Sequence, residues 1–118
     1  MAYSFMSFSA STAGIGFSQY LKDKDGTAVG AGKVSITNDT NATVWLKVGS
    51  GTKPATPTSA YVAGADDYAA TVPLAAGKSI DIGTDIDGKG LVPGLQEEIN
   101  WIAGWCVGNA GPVGAVGH

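Results

Sequence analysis

Apolar and polar residues alternate along this chain in short runs, and clusters of Gly, Asp, Asn and Pro stand between the runs. That is the period-two pattern of half-buried β-strands punctuated by turns. The clearest run is Lys33-Val-Ser-Ile-Thr37. The turn cluster Asn38-Asp-Thr-Asn-Ala42 follows it, and then the β-branched and aromatic stretch Thr43-Val-Trp-Leu-Lys-Val48. The pattern predicts a hairpin from Val34 to Val48. A second hairpin is predicted from Tyr68 to Ile82, with its turn at Pro73 to Gly77. In its returning strand Ser79 and Asp81 alternate with Ile80 and Ile82, one face out and one face in.

The flanking segments are less regular. Ser4 to Gln19 predicts an extended arm or a first strand, whose aromatics Tyr3, Phe5, Phe8 and Phe17 would seek a partner surface. Lys22 to Gly26 is a turn. Gly49 to Ala65, with Pro54 and Pro57, is a long loop of the kind that makes contacts; Lys53, Pro54, Pro57 and Tyr61 are its candidate contact residues. Asp85 to Gly94 is another loop. Glu97 to Ala103 and Gly104 to Val107 have the densest apolar content and close the domain. The expected fold is all-β, a β-sandwich or small barrel of about six to seven short antiparallel strands. The expected division is an extended arm or first strand over 1–20, a sandwich over 21–108 and a loose tail over 109–118.

Composition narrows the function. At 118 residues there is room for one domain. The charged fraction is 14%, against ~25% in an ordinary soluble protein. The resulting Ser, Thr, Asn, Gly and Ala surface costs little to desolvate and suits burial against neighbours. All 7 basic residues are Lys and the net charge is −3. The basic, Arg-bearing face that nucleic acid requires is missing, and so is a basic membrane-surface helix. The N-terminal stretch lacks the basic start and apolar core of a signal peptide, so maturation in a cytoplasm is expected.

A search for chemistry finds missing parts. The single cysteine, Cys106, lies in an apolar run and reads as a buried thiol. The single histidine, His118, stands at the end of the sequence, a poor place for an oriented base. No His and Cys cluster offers a zinc site. Asp23 to Gly26 and Asp85 to Gly88 look like calcium loops but read better as Asp-capped turns. Asp66-Asp67 and Glu97-Glu98 are sequence neighbours that would face opposite ways in a strand, which disfavours a carboxylate pair. The sequons at Asn38 and Asn41 read as turn chemistry. Trp45, Trp101 and Trp105 read as core, with a sugar platform as the alternative; Trp101 and Trp105 share a strand face. No enzyme and no cofactor are expected.

Residues 34–82 resemble small virion proteins of tailed bacteriophages. The resemblance lies in Val34-Ser-Ile-Thr-Asn-Asp-Thr-Asn-Ala-Thr-Val-Trp-Leu-Lys-Val-Gly49 and in Ala70-Thr-Val-Pro-Leu-Ala-Ala-Gly-Lys-Ser-Ile-Asp-Ile82. It implies a β-sandwich that decorates a capsid or acts as a minor head protein in the virion, or else a tail, neck or fibre component. The implied partners are the major capsid protein or other virion proteins and further copies of the chain. A carbohydrate-binding module is the alternative from a different class. On this view the arm adds to a neighbour's sheet, and removing residues 2–16 abolishes assembly while leaving the monomer folded.

Overall fold

A computed structural model describes residues 3–8, 14–58, 72–83, 98–108 and 110–117. The period-two runs are strands, and no helix occurs among the described residues. The described residues form eight strands: β1 (Tyr3–Phe8), β2 (Gly14–Tyr20), β3 (Lys33–Asn38), β4 (Val44–Gly49), β5 (Val72–Leu74), β6 (Ser79–Gly83), β7 (Trp101–Val107) and β8 (Gly111–Gly117). They form two four-stranded antiparallel sheets, ordered β1-β8-β3-β6 and β2-β7-β4-β5. The fold is the expected all-β sandwich, with more strands than the sequence pattern marked.

The pairing follows one rule. β1 pairs with β8, β2 with β7, β3 with β6 and β4 with β5. The chain is thus one long antiparallel ribbon folded back on itself. Rolling the ribbon up brings β8 against β3 and β7 against β4. This is the strand order of a jelly roll, an eight-stranded double Greek key.

Consecutive strands therefore cross between sheets. β3 and β4 are not the hairpin expected from Val34 to Val48; of the hairpin expected from Tyr68 to Ile82, residues 68–71 lie outside the described residues, and β5 and β6 do not pair with each other. Each pair is an arch whose two strands lie in opposite sheets, and the two arches stack. Asn38 explains why. It is fully buried, and all of its side-chain hydrogen-bonding capacity is used. Its Nδ2 donates to the carbonyls of Ala42 (2.9 Å) and Leu74 (2.8 Å), while its Oδ1 accepts from the Thr40 amide (3.0 Å) and hydroxyl (2.5 Å). Its backbone is tied to the other arch, through Asn38 N to Lys78 O and Gly77 N to Asn38 O. A buried amide with every partner supplied fixes one arrangement, because leaving any of them unpaired is costly. Gly77, at φ 74°, makes the second turn possible.

Of the two readings of segment 1–20, an arm or a first strand, the described residues form strands: β1 and β2, built into opposite sheets. The described part of the tail, expected to be loose, is a strand as well. Residues 111–117 form β8, which lies between β1 and β3. Its Val113 and Ala115 are buried.

The core lies between the sheets. Val34 and Ile36 of β3, Val44, Leu46 and Val48 of β4, Phe17 of β2, Ile102 and Cys106 of β7, and Val113 and Ala115 of β8 point into it, with Leu21 and Ile99 beside the strands. Gly104 faces inward because a Cβ there would meet the Phe17 ring at 2.7 Å and the Trp45 carbonyl at 2.5 Å. Burial pushes the Cys106 thiol above its ordinary pKa. The tryptophans are not in this core. Since Ile102 and Cys106 face in, Trp101 and Trp105 face out, and Trp45 pairs with Trp105 on that same outer face.

Candidate functional site

The two outer faces of the sandwich are treated differently by the chain. Over the β2 sheet, residues 50–58 fold back and act as a cover. Trp101 Nε1 donates to Ser50 O (3.2 Å), Ser18 Oγ to Pro54 O (2.7 Å), Asn100 Nδ2 to Gly51 O (3.0 Å) and Lys53 N to the Tyr20 hydroxyl (3.3 Å). Trp101 and Ala103, with Tyr20 packed on them, form a second small core. Glycines supply the room. A Cβ on Gly16 would collide with the Pro57 carbonyl, and one on Gly49 with the Trp101 ring. Lys47, in the outward register of β4, is only 4% exposed.

The outer face of the β1 sheet carries no such cover among the described residues. Register puts Tyr3, Phe5 and Ser7 of β1, Val116 and Gly114 of β8, Ser35 and Thr37 of β3, and Ser79 and Asp81 of β6 on it. Tyr3 is 45% exposed, Phe5 62% and Val116 38%. Tyr3 and Val116 are direct cross-strand partners, and Phe5 sits opposite Gly114, above which a Cβ would meet nothing. The remainder is hydroxyls, such as the Thr37–Ser79 pair joined at 3.0 Å, with Lys33 and Asp81 towards the β6 side. An exposed aromatic and aliphatic cluster in a nearly uncharged field marks a contact surface.

This cluster runs onto the side of the sandwich where β1 and β2, the edges of the two sheets, lie together. Ser4 Oγ donates to Gln19 Oε1 (2.7 Å) and Gln19 Nε2 approaches Met6 Sδ (4.0 Å), closing the gap between the edges. Tyr3 exchanges backbone hydrogen bonds with Lys22, at 2.8 and 2.9 Å. Outside that bridge is a groove of about 440 Å³, walled by Tyr3, Phe5 and Tyr20 and flanked by Lys22 and Lys53. The Lys53 ammonium stands 5.9 Å from the centroid of the Tyr20 ring, within cation–π range. Among the described residues no carboxylate lines the groove.

Of the expected contact residues, Tyr3, Phe5 and Lys53 meet at this edge. Pro54 is half-buried in the cover, and Pro57 is buried against Gly16. Phe17 is a core residue, 4% exposed, and cannot be a contact. It sits at the inward position of β2 opposite Gly104. The Phe8 side chain and Tyr61 lie outside the described residues. Val116, Tyr20 and Lys22 join the surface although the sequence pattern did not single them out: Val116 lies in glycine-rich sequence and Lys22 in a turn.

Other candidates resolve into local structure. The Asp23 carboxylate accepts from the amides of Asp25 (2.9 Å) and Thr27 (3.0 Å), so this stretch is a capped turn. The similar stretch from Asp85 lies outside the described residues. The Asn38 sequon is buried, and Asn41 Oδ1 accepts from Ala110 N (2.9 Å). Among the described residues no group of three or more His, Cys, Asp or Glu gathers, and no helix is long and apolar enough to cross a membrane. With Trp101 under the cover, only Trp45 and Trp105, both half-buried, remain for a sugar platform. Comparison with protein-family models, with curated proteins and with solved structures gives no match to this chain.

Proposed function

We propose that this chain is a virion structural subunit, a capsid decoration or minor head protein, which docks through the bare outer face of the β1 sheet. The observation that carries this is the contrast between the two outer faces. The chain folds residues 50–58 over Trp101 and the neighbouring Ser18 and Tyr20 of one face, and leaves Tyr3, Phe5 and Val116 exposed on the other. A chain that covers part of one face with its own loop and leaves an aromatic cluster bare on the other has a contact surface built in.

Three further points support it. The presented face is Ser, Thr and Gly with few charges, so burying it forces little desolvation of ions. Jelly rolls are a recurrent architecture of viral capsids, and also of lectins, which is support by analogy of fold only. The stretch from Val34 to Ile82 has the character of small phage virion proteins. The same surface would serve a tail, neck or fibre location. The partner is then the major capsid protein or another virion protein, and the role is binding and stabilisation without catalysis.

The test is occupancy and rebinding. Mass spectrometry of purified virions should find this chain at a fixed ratio to the major capsid protein. Virions stripped of it should rebind the purified protein, but not a Tyr3→Ser/Phe5→Ser variant whose Tm matches the parent. Absence of the chain from virions would overturn the proposal.

A further inference from the structure

We infer that the free edge of β1, from Phe5 to Ser7, accepts an extended segment of a partner protein as an added strand, and that this segment is acidic. The inference deepens the docking function proposed above and rests on it.

The direction of the backbone groups comes first. In an antiparallel strand successive residues turn their N–H and C=O to opposite edges. Tyr3 gives both groups to Lys22, on the side away from β8. Phe5 and Ser7 share that parity, so their amides and carbonyls also point away from β8. The far side of the ladder agrees. Pro112, opposite Ser7, directs its carbonyl to Asp39 N beside β3 (3.0 Å), and having no N–H it could not donate to β1 in any case. Lys22 occupies the free edge at Tyr3 and stops there. Phe5 and Ser7 are exposed, and their outward groups form an open rung.

Proteins usually blunt such edges with charges, prolines or brevity. β5 is three residues long and contains Pro73, and β6 carries Asp81. β1 is six residues, Tyr-Ser-Phe-Met-Ser-Phe, with no charge and no proline. An undefended edge is an acceptor for β-strand addition. The sequence pattern suggested that this segment donates itself to a neighbour. In the fold it is already committed to β8, and what it has left to offer is its other edge.

The groove beside the edge sets the chemistry of the guest. An added strand alternates its side chains, one set over Tyr3 and Phe5 on the outer face and the other toward Tyr20, Lys22 and Lys53. Among the described residues neither lysine is ion-paired and no carboxylate lines the groove, and the neighbouring Asp23 carboxylate is held by its own turn. Carboxylates on the guest therefore complement the site. A second copy of β1 in the same place would instead bring Lys22 and Lys53 of both chains together.

The experiment uses the whole protein and two fluorescent peptides, an alternating valine–glutamate strand and its valine–lysine counterpart, read by anisotropy. The glutamate peptide should bind at least tenfold more tightly than the lysine peptide. Ser7→Pro removes an outward N–H and should abolish binding with Tm unchanged, since proline is tolerated on the open side of an edge strand. Lys22→Glu/Lys53→Glu should reverse the preference between the peptides, which tests the site independently of the proline variant. Equal binding of both peptides, or full binding by Ser7→Pro, would overturn the inference. So would a dimer by light scattering that Ser7→Pro dissociates, since a second copy would then be the guest. If Ser7→Pro protein rebinds stripped virions as well as the parent, strand addition falls and docking by the outer face stands.

Discussion

Asn38 shows how one residue selects among arrangements that share a pattern. Its sequence neighbours mark a turn and nothing more. A signal was nonetheless there: Asn38 continues the inward parity of Val34 and Ile36, so alternation sends it into the core. What the sequence could not show is that partners from both arches await it. Replacing it with alanine takes a donor from the buried Leu74 carbonyl and the acceptor from the buried Thr40 amide, while the part-buried Ala42 carbonyl keeps the Thr40 hydroxyl. Asn38→Ala should lose about 3 kcal/mol in urea unfolding, from unsatisfied groups plus a small cavity. Cys106 supplies a test by pH. Its folded pKa is raised by burial, so as pH rises the unfolded chain gives up this proton first. The contribution is complete below the unfolded thiol value, near ~8.5, and declines above it. Wild-type protein should therefore lose more stability than Cys106→Ala between about pH 7 and about pH 10, as read by urea midpoints.

At the scale of elements, the strands were legible and their partners were not. Alternation reports which residues share a face, and it is the same whether a returning strand pairs beside its predecessor or crosses to the opposite sheet. Val34 to Val48 therefore looks like a hairpin in sequence and is an arch in the fold, and residues 72–82 likewise join strands of opposite sheets. The tryptophans illustrate a second limit. In β7 both parities are apolar, Trp101, Ala103 and Trp105 against Ile102 and Cys106, so hydrophobicity cannot tell in from out. The glycines decide it in three dimensions. Gly16 lets residues 56 and 57 lie directly on β2, a contact that no pattern announces. Gly16→Ala should push this cover outward. Trp101 would lose its hydrogen bond to Ser50, tryptophan emission should shift to the red, and cleavage within residues 50–58 should quicken. Unchanged emission and cleavage would mean that the cover is held elsewhere.

At the scale of the molecule, rolling one ribbon makes sequence ends into structural neighbours. β1 and β8 pair, and β8 then separates β1 from β3. The last strand is thus more central than the first, the reverse of what a Gly-, Val- and Ala-rich tail suggests. Removing residues 111–117 takes Val113 and Ala115 from the core, leaves β1 without a partner, and opens one side of β3 along its length. The loss cannot be healed locally, because β1 and β3 are too far apart to meet across the vacancy without rebuilding the sheet. That variant should fail to fold, with a collapsed far-UV β signal. Removing residues 1–8 takes only an edge strand, together with the half-buried Met6 and the exposed Tyr3 and Phe5. It should remain folded at a lower Tm and lose docking. Deleting residues 2–16 goes further than that: it also strips half of β2 from β7, so the folded, assembly-deficient monomer expected from the sequence should be obtained from the shorter deletion and not from the longer one. Circular dichroism and thermal melts of the three truncations distinguish these outcomes. A cooperative melt at the parent Tm after loss of residues 111–117 would contradict the central place of β8.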